Sequence, residues 1–466
     1  MNPARVLVVG GGITGLSAAF TLQEEARRRG LALDLALLEA ADQPGGHART
    51  LREDGFLVEA GPNGFLAREP ETLALIDEAG ATPRLVEARP EAKRRFIVRG
   101  GRLHRVPESP PTFLTSSALS LRGKLRLAAE IFAPGPPEGV DETVFEFARR
   151  RIGAEAAEML VDAAVSGISA GDSRALSVAA QFPMMIEMER EHGGLIKAMI
   201  ARRKTGPGGS RLLSFDGGLR TLTEALAGRL GDVVRPETAV QSIGRQPSGW
   251  RAVTNRGAFD ADEILLAGAA RASARLVADL DPELAAALDA IPYSGVSLVA
   301  LAYEVGDVPR ELDGYGYLVT RPERLATLGV VWESSLFPGR APEGMALLRV
   351  FLGGARQPGI VAESEAAALA IAREELRRVM GIEAPPARSW VFRWPQAIAQ
   401  YTVGHLERVA AIRGRVQRHP GLTVCGASYD GVAFNNAIVS GRKAARALAA
   451  RLEAGAREEA AMRRAV

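Results

Sequence analysis

The chain has 466 residues, more than one compact core accommodates and enough for two or three interleaved domains. Hydrophobic residues at 47%, charged residues at 24% and a net charge of +3 describe an ordinary globular protein and give no case for nucleic-acid binding. A single cysteine, Cys425, excludes an intramolecular disulfide, and five scattered histidines (47, 104, 192, 405 and 419) lack ligand spacing, so no metal site is expected.

The chain enters a strand almost at once, without a basic, apolar leader, and no run of about 18 uncharged apolar residues follows. The expectation is a cytoplasmic protein with nothing spanning a membrane. "ARVLVVGGG" reads as a buried parallel strand ending at Gly10. Gly10, Gly12 and Gly15 then make G-x-G-x-x-G, with Ile13 and Thr14 between the last two, and Leu16, Ala19, Phe20 and Leu22 give the next helix its apolar face. "LDLALLEA" is a second strand, ending in an acid at Glu39. This βαβ order is a dinucleotide site: the glycines let backbone approach a pyrophosphate at the helix N-terminus, and Glu39 is placed for a ribose diol. A ligand-free glycine turn is the alternative, opposed by the second strand and its acid. Gly45, Gly46 and Arg49 of "GGHART" follow directly, adding close-approach backbone and a cation for phosphate charge.

Further along, "RRFIVRGGRLHRVP" reads as a hairpin with a Gly-Gly turn, and 91–205 is otherwise mostly helical with proline-rich patches at "VPESPPTF" and "FAPGPPEG". "LLSFDGGLRTLTEALAGRLG" starts a return to the first domain, continued by short strands through "FDADEILLAGAA". Residues 286–400 are strand-rich, an antiparallel sheet with the helix "EAAALAIAREELRRVMG" beside it. The end, "GLTVCGASYDGVAFNNAIVSGRKAARALAARL", is a strand, a glycine loop and a long helix.

The sequence G-x-G-x-x-G, strand, Glu, G-G-x-x-R-T resembles the signature of the amine oxidase, phytoene desaturase and protoporphyrinogen oxidase superfamily, which implies FAD. No second dinucleotide fingerprint appears, so NAD(P)H is not expected, and the lone cysteine excludes a flavin disulfide reductase. The interior blocks "EAGPNGFLAREP", "AVSGISAGDSRALSVAAQFP", "RVFLGGARQPG", "FRWPQAIAQYTVGHLERV" and "GASYDGVAFNNAI" resemble the oxygen-dependent protoporphyrinogen IX oxidases, bacterial members especially, from about residue 4 to 448. The resemblance implies an α/β fold. A Rossmann-like FAD-binding domain is assembled from residues 1–90, 206–285 and 401–466, with a helical membrane-associating lobe over 91–205 and a mixed α+β substrate domain over 286–400.

It also implies an FAD-dependent oxidase that converts a porphyrinogen to a porphyrin in three two-electron hydride transfers, oxygen becoming hydrogen peroxide, in haem biosynthesis. No side chain is expected to serve as catalyst, because the flavin carries the chemistry. For substrate, the resemblance points to Arg95 (a propionate partner), Asn63, Gly167, Tyr315, Gly316, Leu318, Val331 and Phe351. For cofactor it adds Gly61, Pro62, Asn63, Val240, Trp394, Gly426, Val432, Ala433 and Phe434. From the residues alone, Arg95 reads as a solvated hairpin arginine, Leu318, Val331 and Phe351 as core, and Asn63 as a turn residue. Asn435, Asn436 and Ala437 stand where family members often carry Asn-Asp-Cys, which puts an acid-dependent role there in doubt. "FLTSSALSLRGKLRLAAEIFAPG", with Leu119, Leu125, Leu127 and Ile131 near Arg122, Lys124 and Arg126, is a core helix or a face peripheral to a bilayer. Other partners implied are a second copy, as a homodimer, and a ferrochelatase receiving the product. The alternatives are a coproporphyrinogen III oxidase, an amine oxidase or carotenoid desaturase, and a non-catalytic FAD- or prenyl-binding protein.

Overall fold

Strand Ala4–Val9 lies at the centre of a five-stranded parallel sheet in the computed structural model, which describes residues 3–107, 110–137, 139–203 and 211–465. Parts of the first proline patch and the expected boundary at 206 fall outside those residues. The sheet order is Val234–Arg235, Leu33–Leu38, Ala4–Val9, Glu263–Leu266, Leu422–Val424, with Val6 opposite both Leu35 and Glu263. Val6 and Val8 are fully buried because helices cover the sheet, as expected of a parallel strand whose side chains are apolar on both faces. Helix Ile13–Arg29 packs against the C-terminal helix Phe434–Ala465 and shares a core with Leu222, Leu226 and Ile438. A three-stranded antiparallel meander, Val240–Gln246, Gly249–Thr254 and Gly257–Ala261, leads into the fourth strand.

The second large sheet has seven strands, in the order Arg388–Ala399, Tyr293–Glu304, Met345–Gly353, Thr327–Trp332, Gly316–Val319, Arg95–Arg99, Arg102–Arg105. Its strands alternate. Phe96, Val98, Tyr317, Val319, Val330, Trp332, Val350 and Leu352 share a core with Ala368, Ala372 and Leu376 of helix Glu365–Met380. Their sequence neighbours Leu318, Val331 and Phe351 lie outside that core and are only half-buried. The Gly100–Gly101 turn of the hairpin has φ values of 58° and 69°, the tight turn that glycine accommodates. That hairpin belongs to this sheet, through a parallel pairing of Arg95–Val98 with Gly316–Val319. The sheet therefore joins residues 95–105, expected in the helical lobe over 91–205, to the strands of the expected 286–400 domain. The arginines are also less free than a solvated hairpin suggests: Arg94 pairs with Asp313 at 2.9 Å and Arg99 with Glu155 at 3.2 Å.

Between these sheets in sequence stand the helices Leu121–Ala128, Val144–Ile152, Ala163–Ser169, Pro183–His192 and Leu195–Arg203. Buried charges tie them together. Arg151 pairs with Glu130, Arg150 pairs with Glu142 and Glu189 at 2.6 Å each, and Glu130 also accepts from the Leu195 and Ile196 amides at 2.8 and 3.1 Å. Leu119 packs inward, whereas Leu121, Leu125 and Phe132 are 75%, 65% and 83% exposed. No helix among the described residues is long and apolar enough to cross a membrane.

Candidate active site

The parallel strands end on one side in backbone turns, the edge at which open α/β sheets bind ligands. Gly10 leaves the first strand with its amide on Leu38 O at 2.9 Å. A Cβ on Gly15 would lie 1.9 Å from Gly10 O, so the helix can pack on the strand end only with glycine there. At Gly12 a Cβ would meet nothing within 4 Å, and the helix that begins at Ile13 has no side-chain cap. An open concavity beside uncapped amides fits a pyrophosphate. Gly45 and Gly46 close over it: the Gly45 amide donates to Gly11 O at 2.8 Å, and a Cβ on Gly46 would stand 3.1 Å from Gly12 Cα. Thr14 is buried on the helix's inner side, in contact range of Gly426.

Glu39 ends the second strand and accepts from the Gly11 amide at 2.6 Å and the Ala41 amide at 2.7 Å. Its carboxylate is thereby fixed beside the glycine loop. Val240 sits close by, because the Thr238 amide donates to Glu39 O at 2.7 Å. Arg49 is exposed, with its carbonyl on the Ala60 amide at 2.8 Å and no protein partner for its guanidinium among the described residues.

The loop Gly61–Pro62–Asn63 faces the second sheet. Trp394 Nε1 donates to Ala60 O at 2.7 Å and the Trp394 ring meets His47 edge-on at 4.6 Å. Asn63 is buried rather than a simple turn residue, with Nδ2 donating to Glu333 Oε2 at 3.1 Å. Behind it lies a wholly buried group of four charges. Arg349 Nη1 pairs with Glu333 Oε2 at 3.1 Å and Nη2 donates to Gly61 O; Arg340 lies 3.6 Å from Glu59 and 3.7 Å from Glu333. Burial pushes the Glu59 carboxyl up to about 7, only partly offset by Arg340 and by the Thr50 hydroxyl at 2.7 Å. None of these four was singled out from sequence. The available signal was a lone charge inside each apolar run, Glu333 in "VVWESS" and Arg349 in "ALLRVFLGG".

The substrate-side candidates gather on the face of the seven-stranded sheet that helix Glu365–Met380 does not cover. Gly316 pairs with Arg95 on one side and Val331 on the other, and Val331 is opposite Arg349. Arg95 is exposed, its guanidinium 5.4 Å from the Tyr315 ring centroid. Burial, then the Glu333 charge, holds the Tyr315 phenol above its ordinary value. Arg349 lies 5.1 Å from the Phe351 ring. Gly167, exposed on helix Ala163–Ser169, faces Leu318: a Cβ there would come within 2.2 Å of Leu318 Cδ2. From the C-terminal segment come half-buried Val432, exposed Ala433, and Phe434, whose ring stacks on Phe65 at 5.8 Å, while Asn435 Nδ2 donates to Leu66 O at 2.8 Å. Cys425 is buried, and burial raises its thiol pKa, so it is inert packing.

A nucleotide cradle on one side thus faces a half-apolar sheet with an edge arginine on the other. The model of the flavin containing amine oxidoreductase family matches residues 13–449. The coproporphyrinogen III oxidase of Bacillus subtilis (strain 168) is 32% identical over 457 residues, covering 94% of this chain and 96% of the relative. Protoporphyrinogen oxidase of Homo sapiens is 31% identical over 481 residues, covering 94% and 97%. A crystal structure from Exiguobacterium sp. 255-15, provisionally described as a protoporphyrinogen oxidase, superposes with a TM-score of 0.83 at 27% identity, covering 97% of this chain and 100% of the other. With the glycine cradle, Glu39 and a match over nearly its whole length, the chain belongs to the flavin-containing amine oxidoreductase family and is an FAD-dependent oxidoreductase.

Proposed function

We propose that the protein oxidises a porphyrinogen to the porphyrin, protoporphyrinogen IX before coproporphyrinogen III, with oxygen as electron acceptor. The observation that carries this reading is the sheet face that helix Glu365–Met380 leaves uncovered: Leu318, Val331 and Phe351 offer half-buried apolar surface to a flat macrocycle, and Arg95 at its edge offers a planar cation to a propionate. The cofactor would be held by Gly10, Gly12, Ile13, Thr14 and Gly15 at the pyrophosphate, with Gly45, Gly46 and Arg49 opposite and Glu39 and Val240 at the adenosine end. Gly61, Pro62, Asn63, Trp394, Gly426, Val432, Ala433 and Phe434 would border the flavin. When bound, FAD supplies a hydride acceptor. The chain's own part is to orient the macrocycle on this face and to exclude water from it.

The preference for protoporphyrinogen is argued from charge. Coproporphyrinogen III carries two more propionates; of the hairpin arginines, Arg94 and Arg99 are paired with Asp313 and Glu155, Arg95 lies over Tyr315, and Arg102 is exposed on the outermost strand, one strand farther from Val331 and Phe351. The coproporphyrinogen reading is favoured by the Bacillus subtilis relative. Leu121, Leu125 and Phe132, exposed on the helical lobe beside exposed Arg122, support a peripheral contact with a bilayer. A homodimer and hand-over to a ferrochelatase rest on the resemblance alone. Steady-state turnover of both porphyrinogens side by side, without NAD(P)H, tests the proposal. We expect oxygen uptake, peroxide and porphyrin fluorescence, with the larger kcat/KM for protoporphyrinogen. The reverse preference establishes the second reading, and turnover of neither overturns both.

A further inference from the structure

We propose that Glu333 and Arg349 are positioning residues: together they clamp the Gly61–Pro62–Asn63 loop of the cofactor half against the substrate-facing side of the seven-stranded sheet. The inference rests on the porphyrinogen reading only in placing substrate on that face. Each member of the pair reaches a different residue of the loop. Arg349 uses one nitrogen for Glu333 and the other for the Gly61 carbonyl; Glu333 Oε2 receives both Arg349, at 3.1 Å, and the Asn63 amide, at 3.1 Å. Trp394 holds the neighbouring Ala60 carbonyl at 2.7 Å. Three bonds from the sheet side thus fix Ala60, Gly61 and Asn63, and the stretch has no slack of its own: a Cβ on Gly61 would lie 2.1 Å from His47 O.

Stability does not account for the pair. Both residues are fully buried, and burying an ion pair costs desolvation that well-packed apolar side chains would avoid. The satisfaction is also incomplete, since Arg349 Nε and Glu333 Oε1 make no hydrogen bond within the protein. Charged, directional groups at this junction therefore fix geometry at a cost in stability. The surroundings are those of the site itself: Val331 is Arg349's partner in register, Phe351 lies under its guanidinium, and Tyr315 feels both charges.

The test uses FAD-loaded Glu333→Gln, Arg349→Gln and the double variant, which leaves neither of the two charges unpaired. Two readouts are taken: the visible spectrum and reduction potential of the bound flavin without substrate, and kcat and KM with porphyrinogen. We expect the double variant to retain FAD, to shift the flavin spectrum, and to lose roughly ten- to a hundredfold in kcat with KM nearly unchanged, the cost of a misplaced reacting centre. A double variant with wild-type spectrum and wild-type kcat makes the pair mere packing and overturns the proposal. If the double variant yields no soluble holoprotein, Arg349→Lys and Asn63→Ser are combined in a cycle read by the flavin spectrum and kcat. Effects less than additive support one clamp, and additive effects overturn it. The spectral arm needs no substrate, so it decides the pair even if neither porphyrinogen is turned over.

Discussion

Acid should loosen the cofactor loop through one residue, His405. This histidine opens helix His405–Val416 and is fully buried, its ring stacked on Tyr401 at 3.8 Å, with neither ring nitrogen hydrogen-bonded within the protein. Burial first, then the Arg408 charge, lowers its pKa from 6.5 to about 4, with Asp141 opposing. The folded value lies below the unfolded one. Its stabilising contribution is therefore complete above the unfolded pKa and is lost progressively as pH falls from 6.5 towards 4, where the folded state also takes the proton. The full shift corresponds to about 3 kcal/mol, and about 2.5 kcal/mol is lost by pH 4.5. Tyr401 connects this to the site, since its hydroxyl donates to Ala427 O and accepts from the Gly431 amide, both at 2.7 Å, across the loop before Val432. His405→Phe preserves a stacked ring without a titrating group. Unfolding midpoints of FAD-loaded wild type and variant, followed by flavin fluorescence at pH 7.5 and 4.5, should diverge, the wild type losing more and releasing FAD earlier. Glu59 titrates in the same range with the opposite sign, but it is common to both proteins and cancels in the difference. Parallel pH profiles for the two proteins would refute the reasoning.

Glu39→Ala should lower the flavin-to-protein absorbance ratio of purified material while leaving soluble yield intact, because the carboxylate organises the Gly11 and Ala41 amides as well as facing the adenosine end. Arg95→Ala should cost on the order of ten- to a hundredfold in kcat/KM, one charge-assisted pair of about 1.5–3 kcal/mol, with the flavin spectrum unchanged; Arg95→Lys should recover part of it, and full activity in Arg95→Ala would make it a solvated arginine. Leu125→Ser combined with Phe132→Ser should reduce co-sedimentation with anionic liposomes without changing FAD content, and equal sedimentation would remove the lobe from the bilayer.

The parts of this architecture that sequence discloses are those with a local cause. A glycine that must admit backbone, an acid that ends a strand and a Gly-Gly turn each announce themselves within a few residues, and Gly10–Gly15, Glu39 and the hairpin at Gly100–Gly101 are such cases. Period two separates the two faces of a strand only once the strand is seated: in the apolar runs that hold Leu318, Val331 and Phe351 all three read as core, and the structure puts them on the face away from it. What patterning does not carry is the neighbour. The parallel pairing of Arg95–Val98 with Gly316–Val319 joins segments more than 200 residues apart, and nothing in either strand specifies the other. Buried charge is hidden for the same reason: Glu59, Glu333, Arg340 and Arg349 read as surface residues until their partners, each on a different element, are brought to them. Leu119 and Leu125 show the limit on a helix, since both are apolar and only tertiary packing separates the buried one from the exposed one.

The five parallel strands carry a consequence for synthesis. One edge strand, Leu422–Val424, and the helix Phe434–Ala465 that packs on Ile13–Arg29 follow the first strand by more than 400 residues. At about 5–20 residues per second, roughly 20–80 s separate emergence of the first strand from emergence of the last. Throughout that interval the nascent cofactor half lacks one sheet edge, the Gly426 turn and the helix that covers its core, while Val6, Val8, Leu16 and Phe20 wait for partners. Until those segments arrive the Gly426 turn is missing from the cofactor cradle, and the waiting apolar surface is exposed to non-specific association.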